Sequence, residues 1–216
     1  MMMMRTGCLA LIAVSFAALL QGCVPVAAVG VGMGVSAVSD RRTPGTQIED
    51  EGIELRTSNR ISERWGSKVQ VGVTGYNRSV LLTGEVSDAA TRDAVGKLAA
   101  GVPNVKAVTN EIVVAGLSTL SARSNDSFIT SKVKARFVEA GKFNPLHVKV
   151  VTEAGTVFLL GIVTQGEADA ATEIARTTGG VRKVVRLFEY CKVTDEVCRP
   201  AEAAKGEPAK PAASSK

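Results

Sequence analysis

Two seven-residue stretches, VLLTGEV (residues 80–86) and VFLLGIV (residues 157–163), decide how this chain is read. Each is a short apolar run with one glycine at its fifth position. Aligning Gly84 on Gly161 sets the two 77 residues apart and brings their neighbours into step. Asp50, Ile53 and Ile61 then match Asp126, Ile129 and Phe137 at a spacing of 76, and Val105 matches Val181 at the same spacing. The one-residue length differences fall in loops or at helix ends. A repeat this long is a duplicated domain, not a solenoid, and each copy is near the smallest size that folds alone.

The first copy supplies the element order. After the turn at Pro44-Gly45, Thr46 reads as a helix N-cap. Glu49, Asp50, Glu51 and Glu54 come early and Arg56, Arg60 and Arg64 late, the polarity the helix dipole favours. Ile53, Thr57, Ile61 and Trp65 share one face, while Gly52 costs up to ~1 kcal/mol against Ala. Val69, Val71 and Val73 alternate with Gln70, Gly72 and Thr74, the period of a half-buried strand. Tyr76-Asn77-Arg78 turns the chain back into residues 79–86, closing a hairpin. Ser87 or Asp88 caps a helix running to Ala100, Gly101 ends it, and residues 105–114 form a third strand. The expected fold class is α+β, with two tandem domains ordered helix-strand-strand-helix-strand. In each, a three-stranded mixed sheet with one polar face packs against two helices. The strand–helix–strand part is a right-handed parallel crossover.

Outside the repeat, the N-terminus carries Arg5, an apolar run over residues 8–20, and then Leu20-Gln21-Gly22-Cys23. This is the layout of a secretory signal, with an apolar run too short to span a bilayer comfortably. The last four residues resemble the lipobox of bacterial lipoproteins. That resemblance implies that Cys23 is diacylated, becomes the new N-terminus and is then N-acylated, giving a stable anchor. Val24 follows, not an Asp resembling an inner-membrane retention signal, so the implied destination is the outer membrane, facing the periplasm. Export excludes most nucleic-acid partners despite the net charge of +5, which becomes +4 once Arg5 is removed. Residues 24–40 are small, apolar and Gly-rich. Gly30, Gly32 and Gly34 superficially resemble a phosphate loop, but no strand leads in and no lysine closes it, so a tether is the reading.

The repeated unit resembles the BON domain, and the chain is similar to the dual-BON outer-membrane lipoproteins. The match is carried by Cys23, DRRTPGTQIED (residues 40–50), VLLTGEV, FITSKVKARF (residues 128–137) and residues 148–184, with Gly84 and Gly161 as signature positions. It extends over most of residues 23–190. The organisation expected is a lipoprotein signal peptide at 1–22, a lipidated N-terminus and flexible tether at 23–45, one BON domain at 46–115 and a second at 124–191. A cysteine-containing loop and an Ala/Pro/Lys-rich disordered tail complete the chain at 192–216. The chain departs from the family in that extended C-terminus and at Phe128, where the family usually has Trp.

Catalysis has little to stand on. One histidine, His147, sits at a strand entry and reads as a strand-edge residue, and acidic pairs such as Asp50/Glu51 read as helix-start residues. No enzyme activity, cofactor or metal is expected. Cys191 and Cys198 remain once Cys8 is lost and Cys23 lipidated, and in an exported protein a disulfide closing the loop is the natural reading.

Charge is uneven. Residues 46–115 hold eight basic and nine acidic residues, while residues 124–192 hold ten basic and seven acidic. In DSFITSKVKARF (residues 126–137), Ile129, Val133 and Phe137 form a core stripe, and Phe128 lies roughly 140° from its middle. Phe128, Ser131, Lys132, Lys134, Ala135 and Arg136 are therefore the candidate phospholipid-binding residues. Basic groups are drawn to anionic lipid and an aromatic enters the headgroup boundary. The resemblance implies the same, since the corresponding helix of the family is associated with anionic phospholipid. Alternatively, Phe128, in the first turn of this helix, covers the hairpin turn or the other domain. The expected function is a non-enzymatic, lipid-anchored protein that binds an anionic phospholipid membrane through its second domain and supports envelope integrity. The alternative is a periplasmic adaptor for outer-membrane assembly or cell-division proteins.

Overall fold

In both copies a long helix lies on one face of a small sheet, and a buried aspartate of that helix holds the tight turn of the hairpin. The computed structural model describes residues 40–116 and 118–198. The expected signal, the lipidated Cys23 and the C-terminal tail lie outside the described residues.

The first copy runs α1 (Pro44–Trp65), β1 (Gln70–Tyr76), β2 (Ser79–Val86), α2 (Ala89–Ala100), β3 (Ala107–Asn110) and β4 (Val113–Val114). The second runs α3 (Leu120–Ala140), β5 (Lys149–Glu153), β6 (Thr156–Val163), α4 (Gln165–Arg176) and β7 (Lys183–Tyr190). Each helix starts on an oxygen-bearing side chain that satisfies an orphan backbone donor. Thr43 accepts from the Thr46 amide, Asp88 from Thr91, Thr119 from Ala122, and Thr164 forms a capping box with Glu167. The N-cap of α1 is thus Thr43, not Thr46, because Pro44 is suited to the first helical position, where no N–H is needed. Likewise α3 begins at Leu120, so Phe128 lies beyond its second turn and not in its first.

β1 and β2 pair antiparallel and β2 pairs parallel with both β3 and β4. The third strand expected over residues 105–114 is therefore interrupted. Asn110 turns its side-chain oxygen onto the Ile112 amide, and Ile112 is buried where the ladder breaks. β5–β6 are antiparallel and β6–β7 parallel along eight paired positions.

Under α1 and α2, Val80, Leu82 and Val86 of β2 join Ile53, Ile61 and Val95 in one core. Under α3 and α4, Val157, Leu159 and Val163 of β6 join Ile129, Val133 and Phe137 in another. These are the alternate residues of the two opening stretches. The intervening residues correct the expected polar sheet face: Tyr76 and Leu81 of the first copy pack with Phe158 and Leu160 of the second. The two sheets meet face to face, so β2 and β6 are covered on both sides and read as near-continuous apolar runs. Full burial of such side chains contributes roughly 1.5–3 kcal/mol each. Polar bonds rim the seam. Lys149 reaches Glu54 at 2.9 Å and the Gly75 carbonyl at 3.2 Å, and Asn77 donates to Glu189 at 2.8 Å.

The described end of the expected tether is also folded. Asp40-Arg41-Arg42 forms a strap with one arginine for each copy. Arg41 bonds the Ile162 carbonyl and both Glu167 oxygens of the second copy. Arg42 bonds Asp40 and Asp50 and lies 4.3 Å from the centre of the Tyr76 ring in the first.

Candidate functional site

The core stripe of α3 fixes what its other side shows. Ile129, Val133 and Phe137 are buried in the second core, and Asp126 accepts from the Ala154 and Gly155 amides at 2.9 and 2.8 Å. With 100° per residue, the opposite side collects Leu120, Ser124, Ser127, Phe128, Ser131, Ala135 and Val138. Leu120 is 73% exposed, Phe128 62% and Val138 68%. The exposed Glu139, about 20° from Phe128 on the wheel, edges the row beside Val138, and the row extends about 27 Å at 1.5 Å per residue. Exposure of this degree excludes Phe128 as a cover for the hairpin turn or for the other copy.

The expected site residues do not all share that row. Phe128, Ser131, Lys134 and Ala135 are exposed. Lys132 is half-buried, with its ammonium 4.7 Å from the Phe128 ring centre and bonded to the Gly179 carbonyl. This geometry is a cation–π contact. Arg136 is turned inward, donating to the Ile174 carbonyl at 2.9 Å and to the Thr178 hydroxyl at 2.8 Å. It ties α3 to the end of α4 rather than facing outward. Arg123 and Lys134 flank the row on the side away from Lys132. Leu120 and Val138 are the members missed in the sequence. The signal for them is spacing, since each falls on the wheel within 80° of Phe128, but the helix had to be extended at both ends to include them.

Elsewhere, Asp50 is not a helix-start residue. It is buried and accepts from the Asn77 and Arg78 amides, both at 2.7 Å, besides pairing with Arg42. His147 ends a short 3-10 turn before β5, with Nδ1 3.2 Å from Glu167. Burial, and then the nearby Arg41 charge, lower its pKa. Burial pushes Glu167 up, but the Arg41 bonds and the Thr164 amide outweigh it and hold its carboxyl down at about 2. Both groups are engaged by the strap and the α4 cap. Cys191 and Cys198 are joined as a disulfide with Cα atoms 6.2 Å apart. Among the described residues no group of three His, Cys, Asp or Glu side chains is placed to hold a metal ion, and no helix is long and apolar enough to cross a membrane.

The duplicated helix–hairpin–helix–strand unit matches the BON domain model twice, over residues 49–116 and 125–192. The chain belongs to the BON-domain family. It is 39% identical over 173 residues to the outer membrane lipoprotein DolP of Haemophilus influenzae, covering 79% of this chain and 90% of that one. It is 35% identical over 153 residues to the 21 kDa hemolysin of Actinobacillus pleuropneumoniae, covering 70% and 79% respectively. Osmotically-inducible protein Y of Escherichia coli is 28% identical over 144 residues, covering 65% of this chain and 72% of that protein.

Proposed function

We propose that this protein is a non-enzymatic, lipid-anchored outer-membrane protein, facing the periplasm through Cys23, whose second BON domain rests on anionic phospholipid through the outer side of α3 and so supports envelope integrity. The observation that carries the reading is the exposed apolar row of Leu120, Phe128 and Val138, with small residues between them and the basic Arg123, Lys132 and Lys134 along its edges. Small side chains let the helix lie close to the headgroups while the three apolar ones enter the interface. Basic groups add about 1 kcal/mol each near an anionic surface. The relation to an outer membrane lipoprotein supports the location.

Co-sedimentation with vesicles of the mature chain carrying Cys23→Ala, which has no acyl anchor of its own, tests the reading. Binding is expected with phosphatidylglycerol present and is expected to be lost without it. Phe128→Ala combined with Val138→Ala should reduce it by roughly tenfold or more, since each buried side chain contributes about 1.5–3 kcal/mol. Undiminished binding by that double variant would remove α3 as the contact. Failure to bind anionic vesicles at all would favour the adaptor reading.

A further inference from the structure

Beside Asp126 the second copy has an open groove of about 340 Å³ between α3 and the edge strand β5. Arg123, Asp126, Thr130, Val151 and Glu153 are among the residues that line it. Its size is at the lower end of the roughly 300–1,000 Å³ of ligand pockets. The matching place in the first copy is filled from within the chain. There Asp50 holds the hairpin turn through the Asn77 and Arg78 amides, and its carboxylate also takes Arg42 at 2.8 Å. Asp126 holds the Ala154 and Gly155 amides in the same manner, but the position matching Arg42 is Ser118. Ser118 is drawn away to β1, where it accepts from Gln70 at 2.7 Å.

The surroundings of the two aspartates differ in sign. In hairpin register Glu153 stands where Tyr76 stands, each pairing with the first residue of the returning strand. Glu85 stands where Ile162 stands. Among the described residues neither Asp126, Glu153 nor Glu85 forms an ion pair, and the buried Glu85 keeps one carboxylate oxygen without a hydrogen-bond partner. Burial, and then the charges of Glu85 and Asp126, raise the pKa of Glu153, with Arg123 opposing them weakly. A buried carboxylate without a cation is a costly arrangement, and a paired one is not.

We infer that this groove is a binding site for an arginine side chain carried by an extended segment of a partner polypeptide. The guanidinium would lie between Asp126 and Glu153, the second carboxylate replacing the Tyr76 ring that Arg42 stacks on in the first copy. Arginine suits the site because its planar fork donates to two carboxylates at once.

The test uses the isotope-labelled mature chain and the peptide DRRTPG, which is the sequence of the strap, followed by amide NMR. Millimolar peptide is expected to shift the Ala154 and Gly155 amides, while the peptide DQQTPG leaves them unmoved. Glu153→Gln, which leaves the Asp126 bonds to the turn intact, should weaken the peptide by roughly fivefold or more, as expected on losing one charge-assisted pair. Arg123→Ala should tighten it by removing a like charge from the rim. Absence of shifts, shifts confined to Asn77 and Arg78, or equal binding of DQQTPG would each overturn the proposal.

Discussion

The two copies put the same aspartate under the same hairpin turn and the same alternate residues into the same kind of core, yet they treat their surroundings differently. The first copy closes over its aspartate with an arginine from the strap and shows Gly52 where the second shows Phe128. The second leaves its groove open, and its first helix exposes Leu120, Phe128 and Val138 on its outer side, where α1 exposes Ile48 and Leu55 at other positions. Core positions are held by packing, which punishes change at once, whereas outer positions answer only to what touches them. The difference between the copies is thus concentrated where a fold places no demand.

The largest break in the comparison should come at the two signature glycines. Gly84 has φ of 105°, in the region that only glycine enters easily, and a Cβ there would collide with the Gln70 carbonyl oxygen of β1. Gly161 lacks the positive φ, but its Cβ would meet the His147 carbonyl oxygen at 2.4 Å, against 2.0 Å for the clash at Gly84. Gly84→Ala should therefore cost upwards of about 4 kcal/mol in denaturant unfolding, the range reached by strained and overpacked sites, and Gly161→Ala about half as much. Equal costs would mean that β1 and the turn before β5 yield alike.

Next come the paired aspartates. Asp50→Asn takes one of the two carboxylates from Arg42, leaving Asp40, and places an amide donor against the turn, a loss of about 2–4 kcal/mol. Asp126→Asn weakens only the two bonds to the Ala154 and Gly155 amides, about 1–3 kcal/mol. An Asp126 variant that costs as much as the Asp50 variant would indicate a cation already seated in the second groove.

Acid separates the copies again. The carboxyl of Glu167 is held at about 2 against an ordinary 4.5, so its contribution is present above pH 4.5 and is lost as pH falls toward 2. Arg41→Ala should cost about 1–3 kcal/mol at neutral pH, with the deficit closing below pH 4.5. Glu153 has the opposite sign. Its pKa is raised, so its favourable term is complete below pH 4.5 and is lost as pH rises through the raised value. Glu153→Gln is accordingly expected to stabilise the chain at neutral pH and to have no effect in acid. Unfolding midpoints measured across that range test both signs.

Much of this was legible from periodicity. The hairpins, the helix-strand-strand-helix-strand order and the core stripes follow from alternation and from the 76–77 residue repeat, because burial on one side of an element imprints a period on its sequence. The face-to-face sheets were not. Leu81, Phe158 and Leu160 lie between core residues, and an apolar residue at every position of a strand shows double burial without naming the second partner. Asp50 and Asp126 were visible as a matched pair, but a carboxylate that serves a turn 27 to 29 residues away has no local signature. Arg136 looked outward for the same reason, since the carbonyl and hydroxyls it binds come from the end of α4.

The smallest effects should fall on the outer sides of α1 and α3, and they sharpen the comparison most. Gly52→Ala replaces a helix-interior glycine, and the nearest atom its Cβ meets is the movable end of Arg56, 2.9 Å away. It should stabilise the first copy by up to about 1 kcal/mol. Phe128→Ala exchanges an exposed side chain for a better helix former and gives up only the Lys132 contact, so its net effect on stability should lie within about 0.5 kcal/mol. Urea unfolding of the mature chain measures both. A loss of 2 kcal/mol or more at Phe128 would make it a packing residue, leaving Leu120 and Val138 as the row's exposed apolar members. A neutral result, with vesicle binding impaired in the same variant, separates what the duplication preserved from what the second copy acquired.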